Sequence, residues 1–119
     1  MNDGNPGRGP EARKWLTESK NSAALAANRF GSTKEVLKFV EKLYESGATY
    51  VEIEGISDEP SRIENEGDAY ADSLYVYLPE NPDQRLKLFE IFNEENESEG
   101  FDDDPFVDTG QADVTLWWD

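Results

Sequence analysis

Residues 32–56 read STKEVLKFVEKLYESGATYVEIEGI, and this stretch decides the fold. Ser32 followed three residues later by Glu35 is a capping box, which satisfies two orphan backbone donors at a helix start. Val36, Leu37, Val40, Leu43 and Tyr44 then recur at helical spacing. Glu35, Lys38, Glu41, Lys42 and Glu45 take the other side, with opposite charges three residues apart. Gly47 is a natural left-handed stop. From Thr49 to Ile56 the period changes to two: Val51 and Ile53 point one way, Tyr50, Glu52 and Glu54 the other. That alternation predicts a strand with one buried face and one wetter face.

Downstream, Ser73 to Leu78 alternates in the same manner, with Leu74, Val76 and Leu78 opposite Tyr75 and Tyr77. Pro79 ends the strand because it lacks a donor for the ladder. Asn81 caps a second helix that starts at Pro82, and Leu86, Leu88, Phe89, Ile91 and Phe92 are its expected apolar face. Val114, Leu116 and Trp118 alternate with Thr115 and Trp117 in a last strand. Upstream, Ala23 to Phe30 contains Ala-Ala-Leu-Ala-Ala, which favours helix by propensity. We nevertheless expect a strand there, because the elements that follow need a fourth partner and small residues suit a crowded central strand. Pro10 to Lys20 reads as a short helix with Trp15 and Leu16 to bury, and residues 1–9 as a mobile tail.

The order strand, helix, strand, strand, helix, strand resembles the ferredoxin-like βαββαβ superfold over residues 23–118. The expectation is an α+β domain at 23–119, preceded by a tail and short helical extension at 1–22. Its four-stranded antiparallel sheet would carry both helices on one face. The resemblance makes the first and third strands central. Val51, Ile53, Leu74, Val76, Leu78, Val114, Leu116 and Trp118 would face the helices. Tyr50, Glu52, Glu54, Tyr75, Tyr77, Thr115 and Trp117 would form the open face. Within that superfold, Arg29-Phe30-Gly31 leading into the capped helix, then Glu45-Ser46-Gly47-Ala48, resembles an ACT-type ligand-sensing module. That resemblance implies a small-molecule site at the Gly31 turn.

The chain has 119 residues with 27 acids against 11 bases, a formal net charge of -16. Residues 1–30 hold five bases and three acids, residues 31–47 three of each, and residues 48–119 three bases against 21 acids. Such a field repels phosphate and anionic lipid and attracts cations and basic proteins. Nucleic acid and membrane are therefore not expected as partners. There is no histidine and no cysteine, which excludes Ser-His-Asp triads, cysteine nucleophiles, zinc ribbons and a histidine switch. No apolar run is long enough to span a bilayer, and Met1 to Pro6 lacks the basic-then-apolar order of a signal peptide. A cytoplasmic protein is expected.

Two surfaces carry the functional reading. The open face clusters Tyr50, Tyr75, Tyr77 and Trp117 with no basic rim, which suits a protein partner or a second copy of the chain better than RNA bases. Otherwise residues 10–20 would fold back over those rings. The long connections 57–72 and 100–112 are expected at one end of the sheet, joining Asp68, Asp72, Asp102, Asp104 and Asp108 as a weak calcium or magnesium site. Asp102, Asp103 and Asp104 are also candidate contacts for a basic partner. No resident cofactor is implied. A carboxylate-based enzyme remains an alternative, but nothing singles out two of the 27 acids as a catalytic pair. The reading is a non-catalytic acidic interaction or regulatory module. Its sharper alternative is an immunity-like or nucleic-acid-mimic inhibitor of a basic protein.

Overall fold

A computed structural model of the protein describes residues 10–57, 60, 64, 67–98 and 105–118. The described elements are α1 (Ala12–Glu18), the single turn α2 (Ala27–Phe30), α3 (Thr33–Glu45), β1 (Tyr50–Glu54), β2 (Ser73–Tyr77), α4 (Pro82–Ser98) and β3 (Asp113–Trp117). The class is α+β. The three strands form an antiparallel sheet in chain order, β1-β2-β3.

Local chemistry accounts for the ends of the helices. The Ser32 hydroxyl accepts from the Glu35 N–H at the start of α3, and the Asn81 side chain accepts from the Gln84 N–H at the start of α4. Both are N-caps that satisfy an otherwise orphaned donor. Gly47, at φ +117°, ends the α3 connection in a region closed to most side chains. Glu11 caps α1 by accepting from the N–H groups of Arg13 and Lys14.

The inner face of the sheet is the one the alternation predicts. Val51, Ile53, Leu74, Val76, Leu78, Val114, Leu116 and Trp118 are all buried, and they join Val36, Val40 and Leu43 of α3 and Leu88 and Phe92 of α4 in one core. Each fully buried aliphatic side chain contributes on the order of 1.5–3 kcal/mol, so this face carries most of the stability. Trp118 locks the layers together. Its ring packs edge-on against Phe30 and Phe39, and its indole N–H donates to Glu95 at 3.1 Å. Glu95 also receives two hydrogen bonds from the Arg29 guanidinium, through Nε and through Nη2. A buried carboxylate is tolerated here because those donors replace its lost water.

The four-stranded ferredoxin-like arrangement is not adopted. Residues 23–30 form no strand: Leu25 makes an isolated parallel bridge to Ala71, just ahead of β2, and the chain then turns into α2. The physical cause is at Ala26, whose φ of +46° breaks the extended backbone while its N–H donates to the Ala71 carbonyl. A left-handed alanine costs roughly 1 kcal/mol, and that hydrogen bond with full burial offsets it. Ala24 and Ala26 are fully buried without extending the sheet.

The place beside β2 is taken by β3. Residues 105–112 run back along α4, so the chain re-enters the sheet next to the end of β2 and pairs with it antiparallel. Neither βαβ unit of the βαββαβ superfold is therefore formed. The ACT-type resemblance loses its footing as well, since the strand that should precede Gly31 is absent.

Residues 10–20 do not lie over the open face. Pro10 accepts from the Ile53 N–H at the outer edge of β1, and α1 packs against α3 and β1 with Leu16 in the core. Tyr44 ties this corner: its hydroxyl donates to Glu11 at 2.7 Å and accepts from the Val51 N–H at 2.9 Å. Burial, followed by the bond to Glu11, pushes the Tyr44 pKa up to about 12. Burial works against the Glu11 charge, yet the hydrogen bonds from Tyr44, Lys14 and Arg13 outweigh it and hold this carboxyl below its ordinary range. The Arg13 guanidinium stacks 3.9 Å from the centre of the Tyr44 ring.

Candidate functional site

The outer face of the sheet follows from the strand register. Its rows are Tyr50–Tyr77–Asp113, Glu52–Tyr75–Thr115 and Glu54–Ser73–Trp117. Tyr77 stands 6.0 Å from Tyr50 and 5.1 Å from Tyr75, ring centre to ring centre, so the three tyrosines are one cluster. Trp117 lies apart at the far end of β3 and is 54% exposed. Tyr75 and Tyr77 are half-buried, and both have further interaction partners, as Glu52 and Glu54 also do. Glu52 departs from the alternation: assigned to the wetter face, it is fully buried. Its strand gains Pro10 and Glu11 along the outer edge, and Tyr75 stands opposite it, which closes solvent off from the carboxylate.

The three described candidate cation ligands, Asp68, Asp72 and Asp108, do not converge. Asp68 accepts from the backbone N–H groups of Lys20 and Ala69, which hold its pKa below the ordinary value. Asp72 accepts from the Ser73 hydroxyl at the start of β2. Asp108 lies near the other end of the sheet, where Arg85 grips it with Nε and Nη2. That pairing, with help from the Gly110 N–H, lowers the Asp108 pKa to about 2. Asp102, Asp103 and Asp104 lie outside the described residues. Among the described residues, no group of three or more acidic side chains is placed to hold a metal ion.

A different surface emerges on the outer side of α4. A shallow groove runs between this helix and residues 106–108, with Leu86, Phe89, Phe106 and Val107 as its apolar lining. Leu86 is 62% exposed and Val107 is 61% exposed. The rim is acidic: Asp83, Glu90, Glu94 and Glu97 from α4, and Asp108 from the opposite wall. Among the described residues, no lysine or arginine lines it.

The walls are fixed by two side chains of α4. Asn93 donates to the Phe106 carbonyl at 3.0 Å and accepts from the Phe106 N–H at 2.7 Å, in the manner of a strand partner. Arg85 adds the carbonyls of Pro79 and Gln111 to its grip on Asp108. Phe106 then packs edge-on against Phe92 at 5.9 Å. The groove is therefore preformed, with Asn93 and Arg85 as its struts.

Leu86 and Val107 were not assigned to any binding surface from the sequence, although a signal was present. At 100° per residue, Leu86, Phe89, Phe92, Leu88 and Ile91 span an arc of about 220°, too wide for one helix to bury against one sheet. One edge of that arc had to face outward. Comparison of the chain with protein-family models, with curated proteins and with solved structures finds no match in any of the three.

Proposed function

We propose that this chain is a non-catalytic interaction module whose partner is a basic protein. One observation carries the reading: the acidic half of the chain presents a preformed apolar groove whose charged rim is of a single sign. Apolar area gives such a contact its affinity, and the single-sign rim speeds encounter and rejects acidic competitors. The groove is preferred to the outer sheet face because the tyrosines there are half-buried and already engaged. An inhibitor of a nucleic-acid enzyme is the same reading with the enzyme's phosphate-binding cleft as the occupied surface.

The test is capture from host lysate on the full chain at ~50 mM and ~500 mM salt, followed by titration of each purified partner. Wild-type protein and a variant carrying Asp83→Asn, Glu90→Gln and Glu94→Gln are compared. A basic partner should bind the wild type at low salt, weaken at high salt and lose at least tenfold affinity for the variant. Partners that bind both proteins equally and ignore salt would refute the reading.

A further inference from the structure

We infer that the α4 groove receives a basic amphipathic helix of the partner, with an apolar side chain seated between Leu86 and Val107. This inference rests on the interaction reading above and narrows it to one kind of occupant. Four described large apolar residues are more than a third exposed, and two of them, Leu86 and Val107, face each other across this groove. Large apolar groups exposed on both walls of a rigid groove leave their burial free energy to a ligand.

The charges specify the shape of that ligand. At 100° per residue, Asp83, Glu90, Glu94 and Glu97 fall within about 60° of one another, so they form one stripe along the helix. The stripe runs for about 21 Å at 1.5 Å per residue. Leu86 flanks it on the groove side, and Lys87 flanks it on the side away from Leu86. Asp108 is committed to Arg85, so among the described residues the negative field of the rim comes from the α4 wall. A ligand that matches must carry cations along one side and apolar groups along the adjacent side, both repeating every three to four residues. An α-helix does this, and its ridges pack into those of α4 at a similar repeat. An extended segment, with side chains repeating on each face about every 6.6 Å, drifts out of step with the stripe.

The experiment uses the full-length protein and three synthetic probes at one low salt concentration. The first is a 14-residue Lys/Leu peptide, about four helical turns, with its leucines on one helical face. The second has the same composition with its leucines dispersed around the helix, and the third is an oligolysine of equal charge. The ordered peptide should bind at least about tenfold tighter than either control, as burial of one or two leucines implies. Amide resonances of Leu86, Phe89 and Val107 should shift on its addition. Leu86→Ser and Val107→Ser should each weaken the ordered peptide about tenfold and leave oligolysine unchanged; both sites are exposed, so the core is untouched. Equal affinity for all three probes, or no effect of either serine variant, would overturn the helix-in-groove inference while the basic-partner reading stands. Failure of every cationic probe to bind would overturn both.

Discussion

α3 and α4 cover the same face of the same sheet, yet they use their surfaces in opposite ways. α3 carries three lysines and three glutamates, and Val36, Val40 and Leu43 point fully into the core. Its last aromatic, Tyr44, is occupied with joining Glu11 to β1. α4 carries five acids against Arg85 and Lys87, and its apolar arc overruns the core so that Leu86 faces solvent. One helix is consumed by folding. The other folds with part of its surface left over, and that surplus is both apolar and of one charge. Where the side chains of a helix exceed what its sheet can cover, the excess marks where a partner would sit.

The contrast breaks most sharply at its apolar positions. Val40→Asp places an unpaired charge in the core and should cost on the order of 4 kcal/mol, read as a lowered denaturant midpoint or loss of the fold. Equal tolerance of Val40→Asp and Leu86→Ser would mean that α3 and α4 do not differ as described. Next in size is the tie from α4 to α2 and to Trp118. Glu95→Ala removes the acceptor shared by Arg29 and Trp118 and should cost about 2 kcal/mol, with a change in the indole fluorescence of the native state.

Tyr44 sharpens the α3 side of the comparison through pH. Its folded-state pKa of about 12 lies above the ordinary tyrosine value of 10.0, so the folded protein holds this proton more tightly than the unfolded chain does. The contribution is fully present below pH 10 and is lost as pH rises through about 12. Alkaline titration followed by tyrosinate absorbance should show Tyr44 and Tyr50 ionising above the ordinary tyrosine value, and Tyr44→Phe should remove the step near pH 12. The same substitution should cost about 1 kcal/mol at neutral pH. The smallest expected effect is Leu86→Ser, whose melting temperature should match the wild type because stability changes at such exposed sites stay within about 0.5 kcal/mol.

Periodicity alone made much of this architecture legible. The inner face of all three strands, the caps at Ser32 and Asn81 and the short N-terminal helix each follow from a local pattern of residues. Residues 23–30 failed for a physical reason. Their strand assignment came from a topology that wanted a fourth member, whereas Ala-Ala-Leu-Ala-Ala has no alternation, and only its last residue, Ala27, belongs to the α2 turn. The place of β3 depends on Arg85 and Asn93 holding residues 106–111 against α4, long-range bonds that no local pattern encodes. Burial of Glu52 was equally hidden, because it needs Pro10 and Glu11 to arrive at the β1 edge from more than forty residues away. The groove was half legible: the width of the α4 apolar arc was in the sequence, and the partner wall at Val107 was not.

The meander order has a consequence for how the protein fares in concentrated solution. One rim of the sheet is sheltered, since Pro10 occupies the hydrogen-bonding side of β1 at Ile53. The other rim is β3, and among the described residues no strand pairs with its outer side. An edge strand carrying Val114, Leu116 and Trp117 is a template on which further copies can add, strand upon strand, into fibrils. At neutral pH mutual repulsion between molecules of net charge -16 keeps such rims apart. Near the sequence pI of about 4.2 that repulsion vanishes while the rim is unchanged. Mild acid should therefore turn a clear stock into ordered, dye-binding aggregate, growing from β3.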